Sequence, residues 1–445
     1  GGKVRQVSWG NEAIDCGPTV FTLKHIFERI FAACGESLED HITLKPLDIL
    51  ARHFWPDGSS LDLYADKDAS AEAIREFAGP HEAKAFLGFM ATAERNWRTL
   101  YRPMIEQEEA SFPRLLAQTP PQRLVRLNPY ISLWQEVSGR FKDPRLRQLF
   151  GRYATYCGSS PFEAPGVLSM IAHIEQQGVW TIDGGMSALA HALERLARRR
   201  GVKFHFDTEI ERLHLPNGEV RGVVNGRLSE TEAVVFNGDV AALSEMGAAT
   251  TSATTRASRS LSAVTMCAKG LAEGPALPCH NVFFSSDYEA EFRQLRHARQ
   301  VPSEPTVYLY APDAAEADGL DGRYMALINA PPDGERSYSE REVQEYREVM
   351  LAQMKRCGTM LTPDPKTVVM TTPTDFAIRF PRTGGALYGR PVHGWRASFQ
   401  RPGIRTPIPG LYCAGGSVHP GSGVPMAALS GYMAARAVMR DFALT

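Results

Sequence analysis

Apolar positions recur at helical spacing in several well-separated stretches. Leu23, Ile26, Phe27, Ile30 and Phe31 share one stripe that Gly35 stops, so the spacing predicts a helix over about 21–33. Leu189, Ala192, Leu193 and Leu196 form a second stripe. It lies in a helix expected from Ser187 to Arg200, with three arginines at its C-terminal end and Gly201 as its stop. Further helices are expected from Ser339 to Lys355 and from Val424 to about Phe442. Short apolar runs read as strands: Val202–Phe206, Glu209–Leu213, Val220–Val224 and Ala233–Asn237, with a turn at Pro216-Asn217-Gly218. A turn between short apolar runs around Phe54–Leu63 predicts a hairpin. Other strand-like runs are Val282–Phe284, Thr306–Tyr310, Tyr324–Ile328 and Thr367–Met370. From about Ser70 to Gln177 the pattern is mostly helical, aromatic-rich and broken by prolines.

Helix, strand, hairpin and strand in succession are the grammar of an α/β unit with a small antiparallel flap. The later strands predict a second, mainly antiparallel sheet, and residues 70–179 read as a helical insertion. The 445 residues suit two or three compact units. Lys+Arg 49 against Asp+Glu 50 gives a net charge of -1, which argues against a nucleic-acid partner held by a basic field. No apolar run reaches the ~20 residues of a membrane span. The seven cysteines are scattered with no C-x-x-C pair, so neither a disulfide framework nor a zinc site is expected, and a reduced, cytoplasmic setting is.

The strongest chemical signal lies near the C-terminus. Gly410–Ala414 is a short apolar strand, Gly415-Gly416-Ser417-Val418-His419-Pro420-Gly421-Ser422-Gly423 a glycine-rich loop, and Val424-Pro425-Met426 the opening of a helix. Pro425 suits a first turn, where a missing N–H costs nothing. Glycines let the backbone approach a ligand, while free amides and the helix dipole favour negative charge. The small face of Ala427, Ala428, Gly431 and Ala435 is expected to lie against the sheet. His419 is either a cofactor contact or a turn residue. His173 and Glu175 do not share a helix face and read as surface or packing residues. Phosphate-loop, zinc-protease, serine-hydrolase and calcium-loop motifs do not occur, and no metal is expected.

In their order along the chain, Gly1-Gly2-Lys3, Asp15-x-Gly17-Pro18-Thr19, Asp183-Gly184-Gly185-Met186 and Gly410–Gly431 resemble the phytoene desaturase family of FAD-dependent carotenoid desaturases. The stretch Ala414–Met426 is most similar to the branch of 1-hydroxycarotenoid 3,4-desaturases, or methoxyneurosporene dehydrogenases. The resemblance implies an FAD/NAD(P)-binding Rossmann-like fold with a mixed-sheet substrate part. It places the FAD-binding domain at 1–20, 180–260 and 395–445, the substrate domain at 21–69 and 261–394, and the helical insertion at 70–179. It implies cofactor contacts at Gly1 and Gly2 near the pyrophosphate and ribityl, at Ile210 on a strand beside the adenine, and at Gly415, Gly416, Gly423, Val424 and Pro425 facing the flavin. The family's G-x-G-x-x-G unit has no counterpart in this sequence. Because each of its glycines has a mechanical role in binding pyrophosphate, this chain is expected to be poorly stable or to bind FAD weakly.

The implied activity is introduction of a C=C bond into a hydroxylated or methoxylated neurosporene-type carotenoid by hydride transfer to flavin. Phytoene desaturation, an amine-oxidase-like oxidation and a non-catalytic scaffold are the competing classes. No catalytic base stands out; Arg147, Arg152 and Glu163 are charges in a segment expected to face substrate. A carotenoid must leave a bilayer, so peripheral contact with the inner membrane is expected, with either docking or packing as the role of the amphipathic helix from Val20 to Ala33.

Overall fold

The computed structural model of the protein describes residues 2–248, 258–313 and 321–443. Its largest element among those residues is an eight-stranded sheet. Strand Ser262–Glu273 pairs antiparallel with Asp321–Ala330, which pairs with Val307–Tyr310. The sheet continues through His280–Phe283 to Ile49–Phe54, a parallel junction, and ends in the hairpin partner Ser60–Tyr64. The expected hairpin around Phe54–Leu63 is therefore an edge of this sheet. Ser262–Glu273 was not legible as a strand. Its first seven residues are all buried, so the two-residue alternation that marks a half-exposed strand is missing.

Helix Glu340–Arg356 covers one face of the sheet through Met350 and Met354. Its N-terminus is a capping box in which Ser339 and Glu342 satisfy each other's backbone amides. On the other side lie helices Lys67–Ala78, Pro80–Leu100, Leu133–Arg140 and Pro144–Gly151. Phe86, Phe89, Phe141 and Phe150 pack there as a cluster of rings with neighbouring centroids 4.8–5.8 Å apart. Rings in tilted and edge contacts add about 0.5–1.5 kcal/mol per pair beyond their buried area.

The nucleotide-fold part contains the parallel pair Val234–Phe236 and Leu411–Cys413, with helix Val424–Asp441 following the second strand. That helix buries Leu429, Ser430, Met433, Ala434 and Ala437. The expected small face is a different one: Ala435 is exposed and an added Cβ at Gly431 would meet nothing within 4 Å. Larger Leu and Met side chains, with two alanines, fill the interface.

Two further expectations are corrected. Residues 202–206 form no strand, and Val202 and Phe206 are exposed. No described strand runs beside them, and an alternating pattern without a hydrogen-bonding neighbour cannot form a ladder; Phe204 and Phe206 stack on Arg198 instead. The amphipathic helix, Lys24–Ala33, packs rather than docks: Ile26, Phe27 and Phe31 are all buried, and Phe21 lies on Phe27 at 4.9 Å. Its apolar face is unavailable to a membrane.

Two sequence motifs meet through space. Asp15 accepts a hydrogen bond from the Met186 amide at 2.6 Å, capping helix Met186–Arg199 from a distant part of the chain. Gly185 is required there, because its φ is 79° and an added Cβ would lie 2.4 Å from the Asp15 carboxylate. All seven cysteines are free thiols, and among the described residues no helix is long and apolar enough to cross a membrane.

Candidate functional site

The glycine-rich loop leaves strand Leu411–Cys413 and is pinned at several points. The Gly415 amide donates to Ser430 Oγ at 2.7 Å, Val240 N donates to Ser417 Oγ at 3.2 Å, and the His419 amide donates to Pro402 O at 2.8 Å. Gly415 and Gly423 have φ of 108° and 107°, conformations open to glycine at little cost. An added Cβ at Gly415 would strike Asn237 Oδ1 at 2.8 Å. At Gly2, Gly416 and Gly423 it would meet nothing closer than 3.8 Å, so these glycines leave room in a cavity wall that a side chain would fill. Helix Val424–Asp441 starts at Gly423 with no side-chain cap and Pro425 in its first turn. Val424, Pro425, Met426 and Ala427 line the cavity, which turns an uncapped, partly positive helix end toward it.

Behind the loop sits Arg401, buried to 7 % exposure. Its guanidinium donates to Gly416 O at 2.8 Å, Arg390 O at 2.8 Å and Tyr388 O at 3.1 Å. Burial lowers its pKa, opposed by the charges of Cys157 and Asp239 when these are ionised. Lys3 is a second cation, half-buried at the cavity wall. It donates to Leu387 O and lies 5.3 Å from the Phe380 ring, and burial lowers its pKa against the pull of Asp239. His419 donates from Nε2 to Met104 O at 2.8 Å and burial depresses its pKa to about 4, so it is neutral near pH 7.

The cavity holds about 1150 Å³, above the roughly 300–1,000 Å³ of a site for one drug-sized ligand. One wall is the face of the large sheet opposite helix Glu340–Arg356, including Val282, Tyr308, Met325 and Leu327. Another is the helical insertion, with Leu115, Leu124 and Leu127 reaching to Phe112, Val125 and Tyr130 at the surface. Away from Lys3 and Arg401, a second charged group projects into this mostly apolar space. Glu175 accepts from Tyr153 Oη at 2.7 Å and from Tyr156 Oη, and both rings lie beside the Arg152 guanidinium at 5.9 and 5.3 Å. Burial alone would lower the Arg152 pKa, but Tyr156, Glu175 and Tyr153 raise it, so the guanidinium stays charged. Burial raises the pKa of both tyrosines, helped by the Glu175 charge.

The residues expected to bind cofactor fall unevenly. Gly2, Gly415, Gly416, Gly423, Val424 and Pro425 all line the cavity. Gly1 lies outside the described residues. Ile210 is 37 % exposed in an irregular stretch before strand Arg212–His214 and does not line the cavity. Its expected place on a strand is not found. Of the three charges expected to face substrate, only Arg152 does. Arg147 is spent on Phe141 O and Lys142 O, and Glu163 pairs with Arg296 at 2.8 Å. His173 is half-buried beside Gln177, whereas Glu175 belongs to the charged cluster. Sequence reasoning passed over Arg401 and the Arg152–Glu175 association. Isolated residues far apart in the chain carry no spacing signal.

A family model described as flavin containing amine oxidoreductase matches residues 1–439. The chain belongs to that family. Among its relatives, a hydroxyneurosporene desaturase from Rubrivivax gelatinosus is 44 % identical, covering 99 % of this chain and 86 % of the relative. Another hydroxyneurosporene desaturase, from Rhodobacter capsulatus, is 42 % identical over 99 % of this chain and 91 % of its own. A wild-type putrescine oxidase bound to putrescine shares the fold at a TM-score of 0.59 and 13 % identity, covering 99 % of this chain and 91 % of that one. The expected FAD-dependent fold and the resemblance to carotenoid desaturases are thereby borne out, and FAD is the cofactor of this flavoprotein. The site fits it: glycines with open space beside them and an uncapped helix end are what a flavin nucleotide needs from the backbone.

Proposed function

We propose that the protein is an FAD-dependent carotenoid desaturase acting on a hydroxylated or methoxylated neurosporene-type substrate at the 3,4 bond. The observation that carries this reading is a continuous cavity that runs from the glycine loop, where the cofactor would sit, to an apolar surface rim at Phe112, Val125 and Tyr130. The relatives named hydroxyneurosporene desaturase support it. Desaturation removes a hydride and a proton from adjacent carbons; FAD, when bound, would accept the hydride, and the proton passes to a base or to water. Gly2, Gly415, Gly416, Gly423, Val424 and Pro425 are proposed to hold the cofactor with backbone groups, while Gly1 and Ile210 rest on the resemblance alone. The apolar walls align a rod-like polyene and exclude water. The test is conversion of a hydroxyneurosporene in liposomes by the FAD-loaded protein. A red shift of the polyene bands reports the added double bond, and unchanged bands refute the reading.

Membrane contact is part of the same proposal, through the cavity rim rather than helix Lys24–Ala33. Val125 is 80 % and Tyr130 77 % exposed, beside exposed Phe112 and Leu116. Phe112 and Tyr130 lie 5.7 and 5.9 Å from the Trp395 ring. From Ala110 to Gln135 the chain carries Arg114, Arg123 and Arg126 and no acidic residue. Apolar and aromatic tips framed by arginines are the composition of a surface that settles on anionic lipid. The proposed location is the cytoplasm, with peripheral contact on the inner membrane. Flotation with anionic vesicles, abolished by Val125→Asp together with Leu116→Asp, is expected; unaltered flotation of that variant rejects this rim.

A further inference from the structure

Resting on the desaturase reading above, we propose that Arg152, Tyr156 and Glu175 form a polar subsite that takes the hydroxyl end of the substrate. This subsite would set which carbon–carbon bond lies beside the flavin. The cluster is an anomaly in its surroundings. A polyene offers nothing for a charge to bind, and buried ions are costly unless their hydrogen bonds are completed. Yet Arg152 Nε is buried with no hydrogen-bond partner among the described residues, and Glu175 is met there by two phenols rather than by a cation within ion-pair distance. Arg152, Tyr156 and Glu175 all line the cavity.

Position and chemistry agree. The Ser422 hydroxyl of the glycine loop donates to Tyr156 O at 3.4 Å, so the cluster stands next to the loop assigned to the flavin side. An alcohol both donates and accepts. Here a guanidinium can donate to its oxygen, and a carboxylate or phenol oxygen can accept its proton. In a 1-hydroxycarotenoid, carbon 1 and the reacting carbons 3 and 4 are near neighbours along the chain. An anchor beside the loop therefore fixes the reacting bond, and a hydrocarbon end would leave the cluster's polar groups unmatched. These are specificity residues, and no proton transfer is assigned to them.

The experiment compares kcat/KM for 1-hydroxyneurosporene with that for neurosporene, which lacks the hydroxyl, using FAD-loaded native protein and then Tyr156→Phe and Glu175→Gln. The native enzyme is expected to prefer the alcohol at least about tenfold. In both variants that ratio is expected to fall toward one. A purely structural role would lower both values together and leave the ratio in place. A native ratio near one, or a ratio preserved in the variants, overturns the subsite while leaving the desaturase reading intact. No turnover of either substrate by the native protein defeats the desaturase reading itself. Should Glu175→Gln not retain flavin, Tyr156→Phe, which removes one hydroxyl and no charge, decides alone.

Discussion

Replacing Arg401 with methionine tests whether the glycine loop is held in shape from behind. The guanidinium is the donor to three backbone carbonyls, at Gly416, Tyr388 and Arg390. Methionine keeps the apolar bulk but leaves those carbonyls without this donor. A buried acceptor stripped of its partner costs about 1–3 kcal/mol. Removing the buried charge returns part of that sum, since burial disfavours the charged guanidinium. A net loss of about 3 kcal/mol of stability is the expectation, within the range seen when one side of a buried polar arrangement is removed. Because Gly416 belongs to the proposed cofactor cradle, FAD binding must then re-order the loop, and its Kd should rise at least about tenfold, equivalent to about 1.4 kcal/mol. Arg401→Lys keeps the charge but lacks the planar fork and should recover little. Urea unfolding gives the first quantity and flavin fluorescence titration the second. If Arg401→Met unfolds within about 0.5 kcal/mol of the native protein and binds FAD equally well, the bracing argument is wrong.

Gly415→Ala should cost about 1–3 kcal/mol from its left-handed φ, plus a displaced Asn237. Calorimetry with and without FAD checks this, and an unshifted transition would count against the close approach. Asp15→Ala removes the cap of helix Met186–Arg199 and should cost about 1–2 kcal/mol in urea. Burial raises the Glu291 carboxyl to about 7, against hydrogen bonds from Ser285 and Thr306. Native Glu291 therefore keeps a proton that the unfolded chain releases above its ordinary value of 4.5. That contribution to stability is lost as pH rises from about 4.5 to about 7, by up to about 3 kcal/mol. Glu291→Gln should gain on the native protein over that window, and parallel urea midpoints at its two ends would contradict the assignment. His53 and His280, depressed by burial to about 3 and about 4, act oppositely. The unfolded chain takes up protons below 6.5 that these rings refuse, so stability is lost as pH falls from about 6.5 toward 4.

What the sequence revealed follows from what each signal measures. Helices Lys24–Ala33, Met186–Arg199, Glu340–Arg356 and Val424–Asp441 were legible because each carries an apolar stripe with recognisable ends. The glycine loop was legible because backbone conformation there restricts residue type. Ser262–Glu273 was hidden by burial on both faces, and 202–206 misled because a strand needs a neighbour that periodicity cannot report. The same limit hid the site's second layer. Arg401 and Gly416, Asp15 and Met186, Arg152 and Glu175 are partnerships made by the fold. In sequence each reads as one charge among many. The stripe of Lys24–Ala33 is amphipathic, but amphipathicity alone cannot say whether lipid or protein covers the apolar side; helix Val424–Asp441 and strand-borne Trp180 cover it here.

The two proposed surfaces constrain each other. An apolar rim free of acidic residues over 110–135 suits hydrocarbon, and a charged cluster beside the glycine loop suits the opposite end of the same molecule. A carotenoid polar at one end then has one favourable orientation, hydroxyl toward Arg152 and Glu175, tail toward Val125 and the bilayer. The reverse orientation would bury the alcohol among Leu115, Leu124 and Leu127 without a partner and set hydrocarbon against a charged guanidinium, and each mismatch costs on the order of 1–3 kcal/mol. The orientation therefore needs no contact along the polyene to enforce it. Substrates of different length but equal polar ends should react at the same bond counted from the hydroxyl, which product spectra of shorter and longer hydroxylated polyenes can read directly. A reacting position that moves with chain length would mean that the rim, and not the cluster, sets the register.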